Sequence, residues 1–223
     1  MKYSESIRAI KAFEKKYGIR FNLNMSGKMA NIKCLSTSNL CNPLCACRKN
    51  NPALICNKCF ADSTCSRYAA LRTNMERNTE ILTSVLIPVE EWPMLDPVED
   101  PIFRFESFGD LVNEIQAQNY MNMARRNPET RFALWTKNPG ILSRILINQE
   151  DKPSNLIILR SSEVIDQRID ASRFWFVDKT FTVYRPTTIE AQAIDINCGS
   201  RNCMSCQRCY HKHTETDIRE RLK

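Results

Sequence analysis

Ile102-Phe103-Arg104-Phe105-Glu106 runs into Ser107-Phe108-Gly109-Asp110, and seventeen positions on from Asp110 the chain reads Asn127-Pro128 and then Arg131-Phe132-Ala133-Leu134-Trp135-Thr136. The two apolar runs read as strands over 102–106 and 131–136. Between them, Asp110–Arg126 reads as a helix, with Leu111, Ile115 and Met123 along one face. Strand, helix, strand is a βαβ unit, whose strands pair in parallel through a right-handed crossover.

The same rhythm continues outward. Downstream come a short helix, Gly140–Ile147, and strands over Leu156–Arg160, Phe174–Val177 and Ala191–Ile196. Upstream, an opening helix carries Ile7, Ile10, Phe13 and Tyr17 on one face and ends at Gly18, a residue suited to the left-handed cap. Short strands follow over Phe21–Met25 and Asn31–Leu35. A long helix then runs from Ser66 to about Ile87, with Leu71, Met75, Leu82 and Leu86 on its apolar side and Pro88 as its stop. Trp92–Pro101, rich in proline and acids, reads as a loop. The expected fold is α/β: an incomplete (β/α) barrel with a parallel sheet and Cys-rich metal-binding segments near both termini. It is read as a single domain, 1–223, with a Cys-rich loop 34–65, a βα core 66–197 and a Cys-cluster segment 198–223.

Ligands of parallel sheets sit outside the carboxyl ends of the strands. That rule singles out Ser107–Asp110, Thr136–Pro139 and Ser161–Glu163. It also leads us to expect both Cys-rich segments at that edge.

The chain has 223 residues, 43% of them apolar, 26% charged and only 5 Gly, with a net charge of +7. Neither a disordered chain nor a fibre has that balance. No apolar run reaches the roughly 18–20 residues of a membrane span. The polar helix pattern at the N-terminus lacks the apolar stretch of a signal peptide. A cytoplasmic location and no membrane partner are the resulting expectations.

Eleven cysteines are far too many for such a chain to carry by chance, and they fall in two groups. Cys34, Cys41, Cys45, Cys47, Cys56, Cys59 and Cys65 form the first; Cys198, Cys203, Cys206 and Cys209 form the second; none lies between Ser66 and Asn197. In a reducing compartment, clustered cysteines point to metal. The Cys203-x2-Cys206-x2-Cys209 run wraps three thiolates round one centre, the pattern of iron–sulfur sites, with Cys198 as a fourth. Zinc favours two separated pairs and remains the alternative metal. In the first group, Cys41, Cys45, Cys47, Cys56 and Cys59 are the candidate ligands. Cys34 and Cys65 stand alone and read as small buried hydrophobes. His211 and His213 fall in a polar tail and read as exposed.

The run Phe103–Asp110, the helix after it, and Asn127–Lys137 resemble the Gene product eighty-eight family of phage and plasmid proteins. Cys41, Cys56, Cys59-Phe60-Ala61 and the closing Cys203/Cys206/Cys209 extend that likeness over about Cys41 to Cys209. More distantly, the chain is similar to radical S-adenosylmethionine enzymes that carry auxiliary clusters, with Gly109-Asp110 at the place of their glycine-rich acidic motif. That likeness implies S-adenosylmethionine as a further cofactor, with Gly109, Asp110 and Ser161 holding it. It implies Glu106, Asp110 and Lys137 as catalytic residues, with Arg104 and Arg160 about the substrate. The chain departs from that pattern at Cys41-x3-Cys45-x1-Cys47, one residue short of the usual CxxxCxxC loop.

The expected function is therefore that of an iron–sulfur protein, most simply of the [4Fe-4S] type, acting as a redox or cluster-based enzyme. Its expected partners are an electron donor and a small-molecule or nucleic-acid substrate. A radical S-adenosylmethionine-like enzyme and a zinc-stabilised nucleic-acid-binding protein are the alternatives. Basicity argues little for nucleic acid. Two four-thiolate clusters would each add about −2, and the acids are interspersed with the bases.

Overall fold

The computed structural model describes residues 3–24, 26–199 and 201–222. It has a mixed α/β architecture built on one seven-stranded sheet. In chain order the elements are α1 (Tyr3–Tyr17), β1 (Asn22–Leu23), β2 (Lys33–Leu35), α2 (Pro43–Lys49), α3 (Phe60–Arg67), α4 (Ala69–Ser84), β3 (Ile102–Phe105) and α5 (Glu114–Arg126). They continue with β4 (Arg131–Thr136), α6 (Pro139–Ser143), β5 (Leu156–Ser161), β6 (Lys179–Tyr184), α7 (Pro186–Gln192), α8 (Cys203–Cys206) and β7 (Asp217–Arg221). The strands lie side by side in sequence order, β1 to β7. β1 pairs antiparallel with β2; every other neighbouring pair is parallel.

The connections from β2 through to β6 pack on one side of the sheet, whereas the β6–β7 connection carries the Cys-rich segment across the other, so the two faces differ. Leu35, Phe103, Phe105, Phe132, Leu134, Leu156 and Ile158 point one way and pack under α1, α4, α5 and α6, against Phe13, Leu82, Tyr120, Met123 and Leu142. Phe105 stacks on Tyr120 (4.3 Å) and on Phe132 (5.2 Å). The residues between them, Ile102, Ala133, Ile157 and Leu159, point the other way, where Ile218 and Tyr210 meet them. The cover on this second face is the Cys-rich C-terminal segment, with Cys198, Cys203, Met204 and Cys209 packed against it.

Several expected boundaries move. The helix expected at Ser66–Ile87 is two helices, broken at Tyr68, which is extended (φ −117°, ψ 90°). The helix expected from Asp110 starts at Glu114, because the Asn113 side chain caps it by accepting from the Gln116 N–H at 3.0 Å. The expected helix Gly140–Ile147 is shortened to α6. Gly18 does end α1, at φ +79°. Met25, the end of the first expected strand, lies outside the described residues.

Three errors concern the C-terminal third. Phe174–Val177 is not a strand but a turn that puts Phe176 and Val177 into the core. The strand is the next stretch, β6, where β-branched Thr180, Thr182 and Val183 alternate with Phe181 and Tyr184. Ala191–Ile196 is not a strand either. Pro186 opens α7 at its first turn, and Ala193 (φ 49°) closes it. The last strand, β7, lies in the charged tail.

The first and last strands do not pair with each other among the described residues. A single loop bridges the gap between them. Lys28 reaches Glu220 at 2.6 Å and Cys198 Sγ at 3.4 Å, and its carbonyl accepts from the Cys203 N–H at 2.8 Å. Among the described residues, no helix is long and apolar enough to cross a membrane.

Candidate metal centres

A cavity of about 1040 Å³ occupies the second face of the sheet and opens past the carboxyl ends of β3, β4 and β5. Arg104, Trp135, Ser161 and Phe181 line it from the strands. Cys45, Cys56 and Cys59 border it from the N-terminal segment, and Cys198, Cys203, Cys206 and Cys209 from the C-terminal one. Residues about 140 positions apart in sequence thus face one space.

Local structure sorts the N-terminal thiols. Asn42 caps α2, its side chain accepting from Leu44 N–H and donating to the Asp110 and Leu111 carbonyls at 3.0 and 3.3 Å. That fixes α2 against the β3–α5 loop. At about 100° per residue, Cys45 and Cys47 fall on nearly opposite sides of the helix. Cys45 therefore faces the cavity, whereas Cys47 is exposed. Cys41, before the helix, is exposed too. Cys56 lies in the 3-10 turn Ile55–Lys58, and Cys59 starts α3, so the pair returns to Cys45. Cys34 and Cys65 are fully buried and outside the cavity.

The C-terminal thiols are gathered by a tight reversal. Asn202 caps α8 by accepting from Met204 N–H at 2.7 Å. Gln207 then takes a left-handed conformation (φ 48°) that folds Cys209 back towards Cys203. This segment is not at the carboxyl edge of the sheet, as expected, but lies across its face. Gln207 and His211 reach Arg131, the first residue of β4, and Thr214 reaches Lys179, the first residue of β6. β7 is the reason: pairing beside β6 carries the whole tail back along the sheet. His211 packs against Arg131 rather than projecting freely, and burial followed by that guanidinium lowers its pKa.

The two sets differ in number and in surroundings. Burial pushes the Cys45 thiol up to about 12, the Asp110 carboxylate adds to this, and Lys137 opposes it. Burial raises Cys56 as well, against Lys137 and Arg48. In the other set, burial and then Cys198 push Cys209 up to about 12, against Arg104. Cys198 and Cys203 are raised by burial and lowered by Lys28. Burial thus favours the neutral thiol at Cys45, Cys56, Cys198, Cys203 and Cys209, while cations are already placed to accept the negative charge of thiolates. In donor type these thiols suit a soft, thiophilic centre that would displace their protons. Among the described residues, no group of three His, Cys, Asp or Glu side chains stands in an arrangement that could hold a metal ion.

The expected catalytic residues divide. Lys137 lines the cavity beside Cys45 and Cys56. Asp110 also borders it, but its carboxylate is occupied: Oδ1 accepts from Thr136 Oγ1 (2.6 Å) and Leu111 N–H (2.8 Å), and Oδ2 from Lys137 N–H (2.9 Å). It ties the end of β3 to the end of β4. Ser161 lines the cavity at the last residue of β5. Arg160, one residue earlier, points away, donating to the Asp170 carbonyl at 2.8 Å.

Glu106 is buried at the cavity wall with a positive φ of 55°. It accepts from Thr37 Oγ1 (3.0 Å), Gln116 Nε2 (2.7 Å) and the Tyr120 hydroxyl. Gly109 is where a side chain would collide with this group, so its part is to let Glu106 and Thr37 approach. Burial outweighs the donors and raises the Glu106 pKa from 4.5 to about 7. A raised carboxyl stabilises the fold through its neutral form. That stabilisation is complete below about pH 4.5 and is lost as pH rises through about 7, a change on the order of 3 kcal/mol. Glu106→Gln cannot titrate. Urea unfolding at pH 5 and pH 8 is expected to show a smaller stability difference in the variant than in the parent. An unchanged difference would assign the titration to another group.

Lys28, Met29, Thr37, Asn42 and Gln116 shape this site without having been picked out from the sequence. Asn42-Pro43 carries a readable helix-start signal. Lys28 and Met29 carry none, because only the tertiary fold brings them to the cavity.

No curated protein and no solved structure matches the chain. The model of the family described as GP88, Gene product 88, matches residues 6–221, so this chain, with its two thiol sets about one cavity, belongs to the Gene product 88 family.

Proposed function

We propose that this chain is an iron–sulfur protein, acting as a redox or cluster-based enzyme, whose two thiol sets hold clusters on one substrate cavity. The single observation that carries the reading is the convergence of seven cysteines from both chain ends on that cavity, with Cys41 and Cys47 left outside. Sulfur-only donors with lysine and arginine beside them suit an anionic, thiolate-ligated cluster. Bound clusters of the [4Fe-4S] type would supply one-electron chemistry. In this reading Cys198, Cys203, Cys206 and Cys209 form a closed four-thiolate site. The sheet is read as an incomplete (β/α) barrel with the cavity as its interior, and the protein as cytoplasmic and served by an electron donor.

A second reading has its own observation. Only three thiols, Cys45, Cys56 and Cys59, face the cavity from the N-terminal segment. Three thiolates leave one position of a cluster free, as a radical S-adenosylmethionine-type enzyme requires. Lys137 and Ser161 would then bound the space beside it. With both Asp110 oxygens occupied, Asp110 shapes the loop in this reading and does not grip the cofactor itself.

Anaerobic purification followed by iron, sulfide and zinc analysis tests the first reading. About eight irons with equal sulfide per chain and broad visible absorption are expected for two four-iron clusters. Stoichiometric zinc without sulfide would overturn it and leave a zinc-stabilised fold to be tested for nucleic-acid binding. A change in the electron paramagnetic resonance signal of the reduced protein on adding S-adenosylmethionine supports the second reading; no change overturns it.

A further inference from the structure

We propose that Arg104 anchors an oxyanion, a carboxylate or a phosphate, of the molecule that the cavity takes. Arg104 stands at the middle of β3 and points into the cavity between the two thiol sets. Its guanidinium lies over the Trp135 ring, 3.9 Å from the ring centre. Nη1 donates to the Met29 thioether at 3.0 Å. Nε is buried with no hydrogen-bond partner. Among the described residues neither a carboxylate nor a cysteine sulfur takes a hydrogen bond from this side chain. Nη2 makes no hydrogen bond among the described residues, and its N–H groups suit an oxygen of a carboxylate or phosphate. Trp135 and Met29 hold the plane of the guanidinium and cover Nε, which leaves Nη2 for a ligand.

The acids of the cavity leave this cation unanswered. Glu220 is taken by Lys28, Asp62 by Lys49, Glu215 by Arg208, Asp195 by Arg219, and Glu106 and Asp110 by the hydrogen bonds described above. A buried donor without a partner is costly, and a buried cation without a counter-ion more so. Arg104 is half-buried, and an oxyanion seated on Nη2 supplies the counter-ion it lacks. The inference does not depend on the thiols holding metal.

The test is side-chain protection. Protein purified anaerobically is treated with phenylglyoxal, which modifies guanidinium groups, and Arg104 is followed by peptide mass spectrometry. Inorganic phosphate or acetate is expected to slow modification of Arg104 at least about tenfold, while chloride at equal ionic strength does not. Protection by phosphate alone marks a phosphate-bearing ligand; protection by acetate alone marks a carboxylate. Equal rates with and without both anions, or equal protection by chloride, overturn the proposal.

The same experiment on iron-depleted protein separates this idea from the cluster reading. If iron removal exposes Arg104 and neither oxyanion protects it, Arg104 is a counter-ion of the cluster. The oxyanion site is then overturned and the cluster reading stands. Arg104→Lys keeps the charge but loses the planar guanidinium held on Trp135. Titration of phosphate or acetate, followed by tryptophan fluorescence, is expected to show about tenfold weaker binding in that variant. Unchanged affinity would also overturn the proposal.

Discussion

On the iron–sulfur reading, serine at Cys203, Cys206 and Cys209 together is expected to lower the iron and sulfide bound per chain by about half, while alanine at Cys41 and Cys47 together is expected to leave both unchanged. This contrast follows from the division of the thiols. The C-terminal three belong to a set of four gathered on one side of the cavity, where Lys28 and Arg104 lower the raised pKa values of its buried members. Losing three of the four proposed ligands would leave nothing to hold a cluster there, while Cys45, Cys56 and Cys59 would remain. Cys41 and Cys47 are exposed and face away from the cavity. Iron and sulfide assays on anaerobically purified variants decide the matter. Loss of iron on changing Cys41 and Cys47 would place the N-terminal ligands on α2 and its lead-in, and would refute the arrangement described above. Retention of all iron in the C-terminal variant would remove that set from the metal chemistry altogether.

The second large effect is on stability. Gly109→Ala is expected to cost about 3 kcal/mol or more, because the new methyl cannot be accommodated by a side-chain swing. Its carbon would lie 2.6 Å from the Thr37 carbonyl oxygen and 2.5 Å from Glu106 Oε2. The first of these is backbone, at the end of β2. The second belongs to a carboxyl held by Thr37, Gln116 and Tyr120. Relief therefore requires the β3–α5 loop to lift from β2, and Asp110 to give up its grip on Thr136 and Lys137. Urea denaturation of parent and variant measures the cost. A loss below about 1 kcal/mol would mean that the loop is softer than its hydrogen bonds imply.

The parts of the fold legible in the sequence are those in which one local signal dominates. β3, β4 and β5 are buried on both faces and read as apolar runs. β6 begins with Lys179, whose buried amine is satisfied by the Thr214 and Glu215 carbonyls and Thr214 Oγ1, contacts no local pattern announces. β7, Asp217-Ile218-Arg219-Glu220-Arg221, has one apolar residue and is a strand because β6 offers it a ladder. The cysteine spacings marked both segments as sites of interest. Separating Cys45 from Cys47 required knowing that Pro43–Lys49 is a helix, which turns neighbours two apart to opposite sides. The left-handed Gln207 and the position of Lys28 belong to the tertiary structure alone.

The seam between β1 and β7 sets where the cavity wall can open. Everywhere else around the sheet, adjacent strands are joined by a ladder of backbone hydrogen bonds, and parting them breaks several at once. At the seam, the loop carrying Lys28 and Met29 holds the wall by one ion pair to Glu220, one backbone bond from Cys203 and side-chain contacts to Cys198 and Arg104. Swinging that loop aside would unlock a doorway onto the C-terminal thiols without disturbing a single strand pairing. Lys28, through its ion pair to Glu220 and its carbonyl bond from Cys203, is the residue that keeps that doorway shut.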